Sequence, residues 1–382
     1  MKSKGESSAS LPAPKSEGLA GVVVADTNMS YIDGEKGILK YCGYPIEDLA
    51  TNSSFEEVVY LLYRRELPNK EKVEEMIKTI GNARKLPPEV VRAIETLSGK
   101  TSPMSLLRTA VSIIGHFEES VSLEKLPDKA LRLIGQIGTA VAMIDRIRNN
   151  LPPIESDSER GHAEDFIRMM TGNEPTEIQI KALNQYLVLL ADHGFNASTF
   201  SARVTAGTLA NLHAAITSAM GTLSGPLHGG ANERAMNMII EVGKPDNAAK
   251  FVQSSIEKKQ RIMGFGHRVY KVDDPRAPIL KDMSKKIWQE KGDMTLFETA
   301  EAIEREVKTS KPGLITNVDF YSATLLYGIG VPPDLFTPLF AMSRVAGWTA
   351  HTIEQYGNNR LIRPRARYVG ATDRTYLPIE KR

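Results

Sequence analysis

The chain has 382 residues, 41% hydrophobic and 25% charged, a globular balance that excludes a low-complexity or disordered polymer. Its 48 basic and 46 acidic side chains are interspersed and leave a formal charge of +2, so nucleic-acid binding is not expected. The single cysteine, Cys42, excludes an internal disulfide framework and fits a cytoplasmic setting, and no run reaches the ~18 consecutive apolar residues of a membrane span.

The opening MKSKGESSASLPAPKSEG is rich in Ser, Gly, Pro and Lys. It carries too little apolar surface to offset the entropy of ordering, so residues 1–18 read as a mobile tail. An expression remnant or a weak targeting sequence are alternative origins for it. Residues 20–45 read as two or three short strands around an Asp33-Gly34 turn. Helical signals dominate from there. Ser54 followed by Glu57 is a capping-box pattern ahead of VVYLLYRREL. Ser102-Pro103 opens a helix predicted to run to about Phe117, because proline is tolerated in a first turn. Ile180, Leu183, Leu187 and Leu190 make one apolar stripe over 177–191.

A helix is expected over 198–220, with Ala202, Ala206, Ala210 and Ala214 as a low ridge that lets a neighbouring backbone approach. Another is expected from about Asp334 to Gln355. Arg203, Asn211, His213 and Arg344 interrupt these two, so neither is a membrane helix. The fold class predicted is all-α with a small N-terminal β region.

Three histidines stand in conspicuous settings. His228 lies in SGPLHGGAN, just before a predicted helix, where the dipole disfavours a protonated ring. A neutral imidazole there can donate a hydrogen bond to a developing enolate oxygen, or simply bond a loop carbonyl. His267 follows Gly264-Phe265-Gly266, and Arg276 comes nine residues later between prolines. A histidine and a guanidinium converging on one pocket suit a carbonyl flanked by carboxylates; the alternative is that GFG is only a turn. GFGHRV is not a dinucleotide fingerprint, since it lacks the GxGxxG spacing and a preceding strand.

His193 ends its helix in ADHGFNASTFSARV, where the dipole favours a charged ring able to hold an anion, or a plain capping role with Gly194 as the stop. Asp319, in NVDFYSA, stands in an apolar stretch where a helix begins. It is either a base strengthened by desolvation or a helix N-cap. Arg344 lies in a helix of small and apolar residues, so its guanidinium needs an anion, from a ligand or from an internal acid. Arg363 belongs to the run NNRLIRPRARYVG, whose charges alone read as a solvated face. The histidines and the lone cysteine lack metal-ligand spacing, and no P-loop or GxSxG elbow is present.

ADHGFNASTFSARV, GPLHGGANE, RIMGFGHRVYK, DPRAP, NVDFYSA, SRVAGWTAHTIEQ and NNRLIRPRA, in that order and spacing, resemble the citrate synthase family. Similarity extends from about Gly18 to the C-terminus, in the compact bacterial and archaeal form. The resemblance implies a large helical domain (19–220 and 331–382) and a small one (221–330), with the active site in the cleft between them. It implies Asp319 as base, His228 as enol or enolate stabiliser and His267 as acid at the oxaloacetate carbonyl. His193, Arg276, Arg344 and Arg363 would bind oxaloacetate, Arg363 from the partner of a homodimer. Arg261, Ile262, Met263, Gly264 and Phe265 would contact CoA, whose acetyl thioester is a substrate; no cofactor or metal is implied. The seven polar positions show no departure from the family pattern. The nearest alternative is 2-methylcitrate synthase, acting on propionyl-CoA; a non-catalytic helical scaffold is a remote one.

Overall fold

Residues 17–19, 21–117 and 123–382 are described by the computed structural model, so residues 1–16 of the expected tail lie outside the described residues. Strands Ser30–Asp33, Ile38–Tyr41 and Tyr44–Pro45 pair antiparallel in sequence order. Leu39 and Tyr41 point into the core, as the two-residue period of a strand requires. Asp33 pairs with Ile38 across the first turn, and its Oδ1 accepts the Glu35 and Lys36 N–H groups. That turn is also a brace. Lys271 donates its N–H to the Gly34 carbonyl at 2.8 Å, and a Cβ at Gly34 would lie 2.3 Å from the Val269 carbonyl oxygen. Only glycine lets the two backbones approach so closely.

Sixteen α-helices follow among the described residues. Phe55–Arg64 starts on the full capping box: Ser54 Oγ accepts from Glu57 N, and Glu57 Oε2 from Ser54 N. Pro103–Ile114 tightens to a 3₁₀ turn through Phe117, and Glu177–Leu190 carries the predicted stripe. The centre is built by Leu126–Arg148 and Phe336–Gly357, which pack against each other. Every residue from Phe336 to Thr352 is buried, which carries Arg344 into the interior. Gly347 is needed there, because a Cβ would lie 2.4 Å from the Ala191 carbonyl oxygen and 2.5 Å from Asp192 Oδ1. This close approach seats the segment that bears His193.

The single helix expected over 198–220 is two, Ala197–Ala206 and Leu212–Leu223, packed side by side with Ser201 and Ser218 hydroxyls 2.6 Å apart. Leu209 takes a left-handed conformation in the break, and Asn211 caps the second helix by accepting Ala214 N–H. Ala202 and Ala206 are buried, Ala210 lies in the break and Ala214 is exposed, so the four alanines do not make one ridge. The four-residue spacing passed over stop and start signals at Gly207 and Asn211.

Within 221–330, helices Ala231–Val242, Ala248–Glu257, Arg276–Lys291, Thr295–Ser310 and Val318–Gly328 pack on one another, and Arg276–Lys291 also meets Glu177–Leu190. Beyond Gly357 the chain is mostly exposed and non-helical apart from one short 3₁₀ turn. Among the described residues no helix is long and apolar enough to cross a membrane.

Candidate active site

Two loops meet at Asn317. Gly264 and Gly266 hold φ values of +83° and +81°, and a Cβ at Gly264 would lie 2.5 Å from Phe320 Cδ2. The Gly266 N–H donates to Ile315 O at 2.7 Å, and the Asn317 N–H to Gly264 O at 3.0 Å. The Asn317 side chain then joins the loops twice. Its Nδ2 donates to Gly266 O at 2.9 Å, and its Oδ1 accepts the Asp319 N–H at 3.0 Å, capping Val318–Gly328. Asn317 is therefore the cap, and the Asp319 carboxylate is left free of that duty.

His267 Nδ1 accepts the backbone N–H groups of Val269 and Tyr270, each at 3.0 Å. A ring nitrogen that accepts carries no proton, so the neutral imidazole bears its hydrogen on Nε2. Burial, followed by the nearby Arg276 charge, pushes its pKa down to about 4. The His267 and His193 rings meet edge to face with centroids 5.5 Å apart. His193 Nε2 is 3.1 Å from the Tyr270 hydroxyl. Burial, then Arg276, His267 and Arg344, hold the His193 pKa well below the histidine range. The charged ring expected at a helix C-terminus is thus not favoured. Its helix ends at Leu190, and burial among cations outweighs a dipole that fades within a turn.

Arg276 opens its helix and forms a two-pronged pair with Asp274, Nε to Oδ1 at 2.9 Å and Nη2 to Oδ2 at 2.8 Å. Both are buried. Burial alone would raise the Asp274 carboxyl, but Arg276 draws it below the usual range. Arg344 is equally buried and has no carboxylate pair among the described residues. Its Nε donates to Leu190 O at 2.6 Å, and its guanidinium lies 4.7 Å from the Phe340 ring centroid. Burial lowers its pKa to about 10, which leaves it charged at neutral pH. The buried Asp192 stabilises that charge through space, but no carboxylate pairs directly with it among the described residues.

His228 packs against the other side of this group, 6.2 Å from the Phe340 centroid. Its Nε2 is 2.8 Å from Ser198 Oγ, which also accepts the Trp348 indole N–H at 3.0 Å. The Ser198 hydroxyl donates to Asn196 Oδ1 at 2.8 Å, and that oxygen also accepts the backbone N–H groups of Ser198 and Thr199. Were the Ser198 proton turned to His228 Nε2 instead, the histidine's own proton would stand on Nδ1. Burial, then Arg344, lowers the His228 pKa to about 4. The shift has the direction expected from the helix dipole, but its causes are burial and Arg344.

Asp319 is half-buried, and no hydrogen bond or ion pair reaches its carboxylate among the described residues. Burial raises its pKa to about 6, with Arg276 and Arg344 pulling the other way. Those two charges therefore act on Asp319 and on all three histidines between them, marking one electrostatic site. Arg363 is outside it: exposed, its Nη1 reaches only the Pro364 carbonyl. In the loop 261–265, Ile262, Gly264 and Phe265 are buried, and Phe265 packs 4.7 Å from Phe320; Met263 is half-buried against the core and Arg261 is exposed.

Ser198, Tyr270, Asp274 and Asn317 complete the site and were not singled out from sequence. Asp274 had a legible signal, an acid two residues before a predicted anion-binding arginine. A cavity of about 450 Å³ bounded by Asp273, Lys281, Glu304, Lys308 and Tyr321 adjoins this site without containing any of the histidines.

The family model for the citrate synthase C-terminal domain matches residues 18–365. The chain is 45% identical to citrate synthase 2 of Bacillus subtilis, over 96% of this chain and 98% of the relative. It is 39% identical to 2-methylcitrate synthase 1 of Corynebacterium glutamicum, covering 96% and 98%. The structure superposes with a TM-score of 0.89 on citrate synthase from Thermoplasma acidophilum in ternary complex with carboxymethyl coenzyme A and oxaloacetate, at 36% identity over 95% of this chain and 98% of that one. The helical fold, the order of the motifs and these likenesses agree, and the chain belongs to the citrate synthase family.

Proposed function

We propose that the chain condenses acetyl-CoA with oxaloacetate and hydrolyses the resulting citryl-CoA to citrate and CoA. The observation that carries this reading is the protonation pattern of the site. Two neutral histidines, His267 with its N–H on Nε2, accompany two buried guanidiniums and a carboxylate of raised pKa that is unbonded among the described residues. Asp319 takes a proton from the acetyl methyl group, and burial makes it a stronger base than an exposed aspartate. His228 Nδ1–H stabilises the enolate oxygen as charge develops there. The enolate carbon attacks the ketone of oxaloacetate, and His267 Nε2–H delivers its proton to the oxygen that becomes the alcohol. Water then cleaves the thioester and releases CoA.

Arg276, Arg344 and His193 bind the carboxylates and carbonyl of oxaloacetate. Arg344 has the stronger claim to a substrate anion, because no carboxylate pairs directly with its guanidinium among the described residues. Arg363 joins the site of the partner subunit in a homodimer, which fits its exposure. CoA lies along 261–265, with Arg261 as the exposed side chain of that loop. Residues 221–330 act as the small domain that closes on substrate, against a large domain of 19–220 and 331–382. No cofactor beyond the thioester substrate is required, and the cytoplasm suits the lone Cys42.

A second reading, 2-methylcitrate synthesis from propionyl-CoA, is favoured by the 39% identity to an enzyme of that name. The two substrates differ by one methylene, worth about 1–3 kcal/mol in a pocket. Mass analysis of the product made from oxaloacetate with each thioester tests the proposal. Citrate as the main product supports it; absence of any tricarboxylate sinks it.

A further inference from the structure

Tyr270 touches both histidines assigned to oxaloacetate, through three different parts of one residue. Its hydroxyl is 3.1 Å from His193 Nε2. Its ring lies against the His267 ring, centroids 4.7 Å apart and tilted by 33°. Its backbone N–H donates to His267 Nδ1 at 3.0 Å. The side chain is 1% exposed, and burial raises the phenol far above its ordinary pKa, so the hydroxyl keeps its proton. His193 is its hydrogen-bond partner among the described residues. The loop cannot drift, because the next residue, Lys271, is tied by its N–H to the hairpin turn at Gly34.

We propose that Tyr270 is a positioning residue that holds His193 and His267 as one rigid pair for oxaloacetate. The hydroxyl sets the orientation of the His193 ring, and so governs how oxaloacetate is held. The aromatic face and the amide set the plane and tautomer of His267, and so govern transfer of the proton to the new alcohol. A side chain that serves two groups by two mechanisms makes separable predictions. This inference rests on the functional reading above.

Two variants divide the roles. Tyr270→Phe removes the hydroxyl alone and keeps the ring and the amide. Losing one hydrogen bond of this kind corresponds to a rise of about fivefold to tenfold in the KM for oxaloacetate. The KM for acetyl-CoA and kcat should stay within about twofold. Tyr270→Leu also removes the ring, and kcat should fall by roughly tenfold more as His267 loses its packing face. A purely structural role would move both KM values together. Equal shifts in the two substrates, or no shift in either, with an active wild type, would overturn the inference and leave the reaction standing. If the wild type turned over no thioester, the functional reading would fall. Calorimetric titration of oxaloacetate into wild type and Tyr270→Phe would then still read the hydroxyl's effect. Equal binding by both proteins would overturn the inference there too. Should the leucine variant fail to fold, the phenylalanine variant decides the matter alone.

Discussion

Asp319 is held in the reactive state at a cost in stability, and Asp319→Asn should release it. Burial raises the carboxyl from its ordinary 3.8 to about 6, while among the described residues no hydrogen bond compensates the ionised oxygens. Between those two values the folded chain binds more protons than the unfolded one, so stability falls as pH rises through the window. Above about pH 6 the whole penalty is present, and below about pH 4 it is absent. At 1.36 kcal/mol per unit, the shift is worth about 3 kcal/mol at most, and the partly open surface of Asp319 reduces it to about 1–3 kcal/mol. Asparagine carries no charge to desolvate. The variant should therefore unfold at higher urea concentration than wild type at about pH 8, and at the same concentration at about pH 4, while losing turnover. The measurement is a pair of urea melts at each pH. A variant that is less stable at the higher pH, or equally more stable at both, would refute the reasoning.

Because the His228 and His267 pKa values lie at about 4, the acid limb of kcat/KM should follow Asp319 and bend near pH 6 rather than lower, as a pH–rate profile will read. His228→Ala should reduce kcat by about 10²–10³ through loss of the enolate donor. Asp274→Asn leaves Arg276 buried without its partner, and should cost about 3–5 kcal/mol in a denaturation melt together with weaker oxaloacetate binding. Co-expression of Asp319→Asn chains with Arg363→Ala chains should restore activity that neither variant has alone, since one site of each mixed dimer then receives both native groups.

Much of the helical scaffold was legible because its signals are local. Ser54 and Glu57 announced a helix start, and the stripe from Ile180 to Leu190 marked a helix whose end falls at Leu190. The break at 207–211 was missed because the four-residue recurrence of alanine is a pattern of composition, and it outweighed the breaker at Gly207 and the cap at Asn211. At the site, His228, His267, Asp319, Arg276 and Arg344 stood out by their motif settings. Their partners did not. Ser198 reaches His228 across thirty residues of sequence, and Tyr270 reaches His193 across seventy-seven. Such pairs exist only once the helices have packed, so neither spacing nor periodicity carries them. Of the two sequence readings of His193, the charged ring is opposed by burial and by Arg276 and Arg344, which are distant in sequence.

Release of free CoA thiol, followed with acetyl-CoA and with propionyl-CoA in the presence of oxaloacetate, tests the assigned reaction most directly. The expected result is release that prefers acetyl-CoA and disappears in Asp319→Asn. Preference for propionyl-CoA would keep the chemistry and reassign the substrate. No release from either thioester by the wild-type chain would contradict the assignment outright.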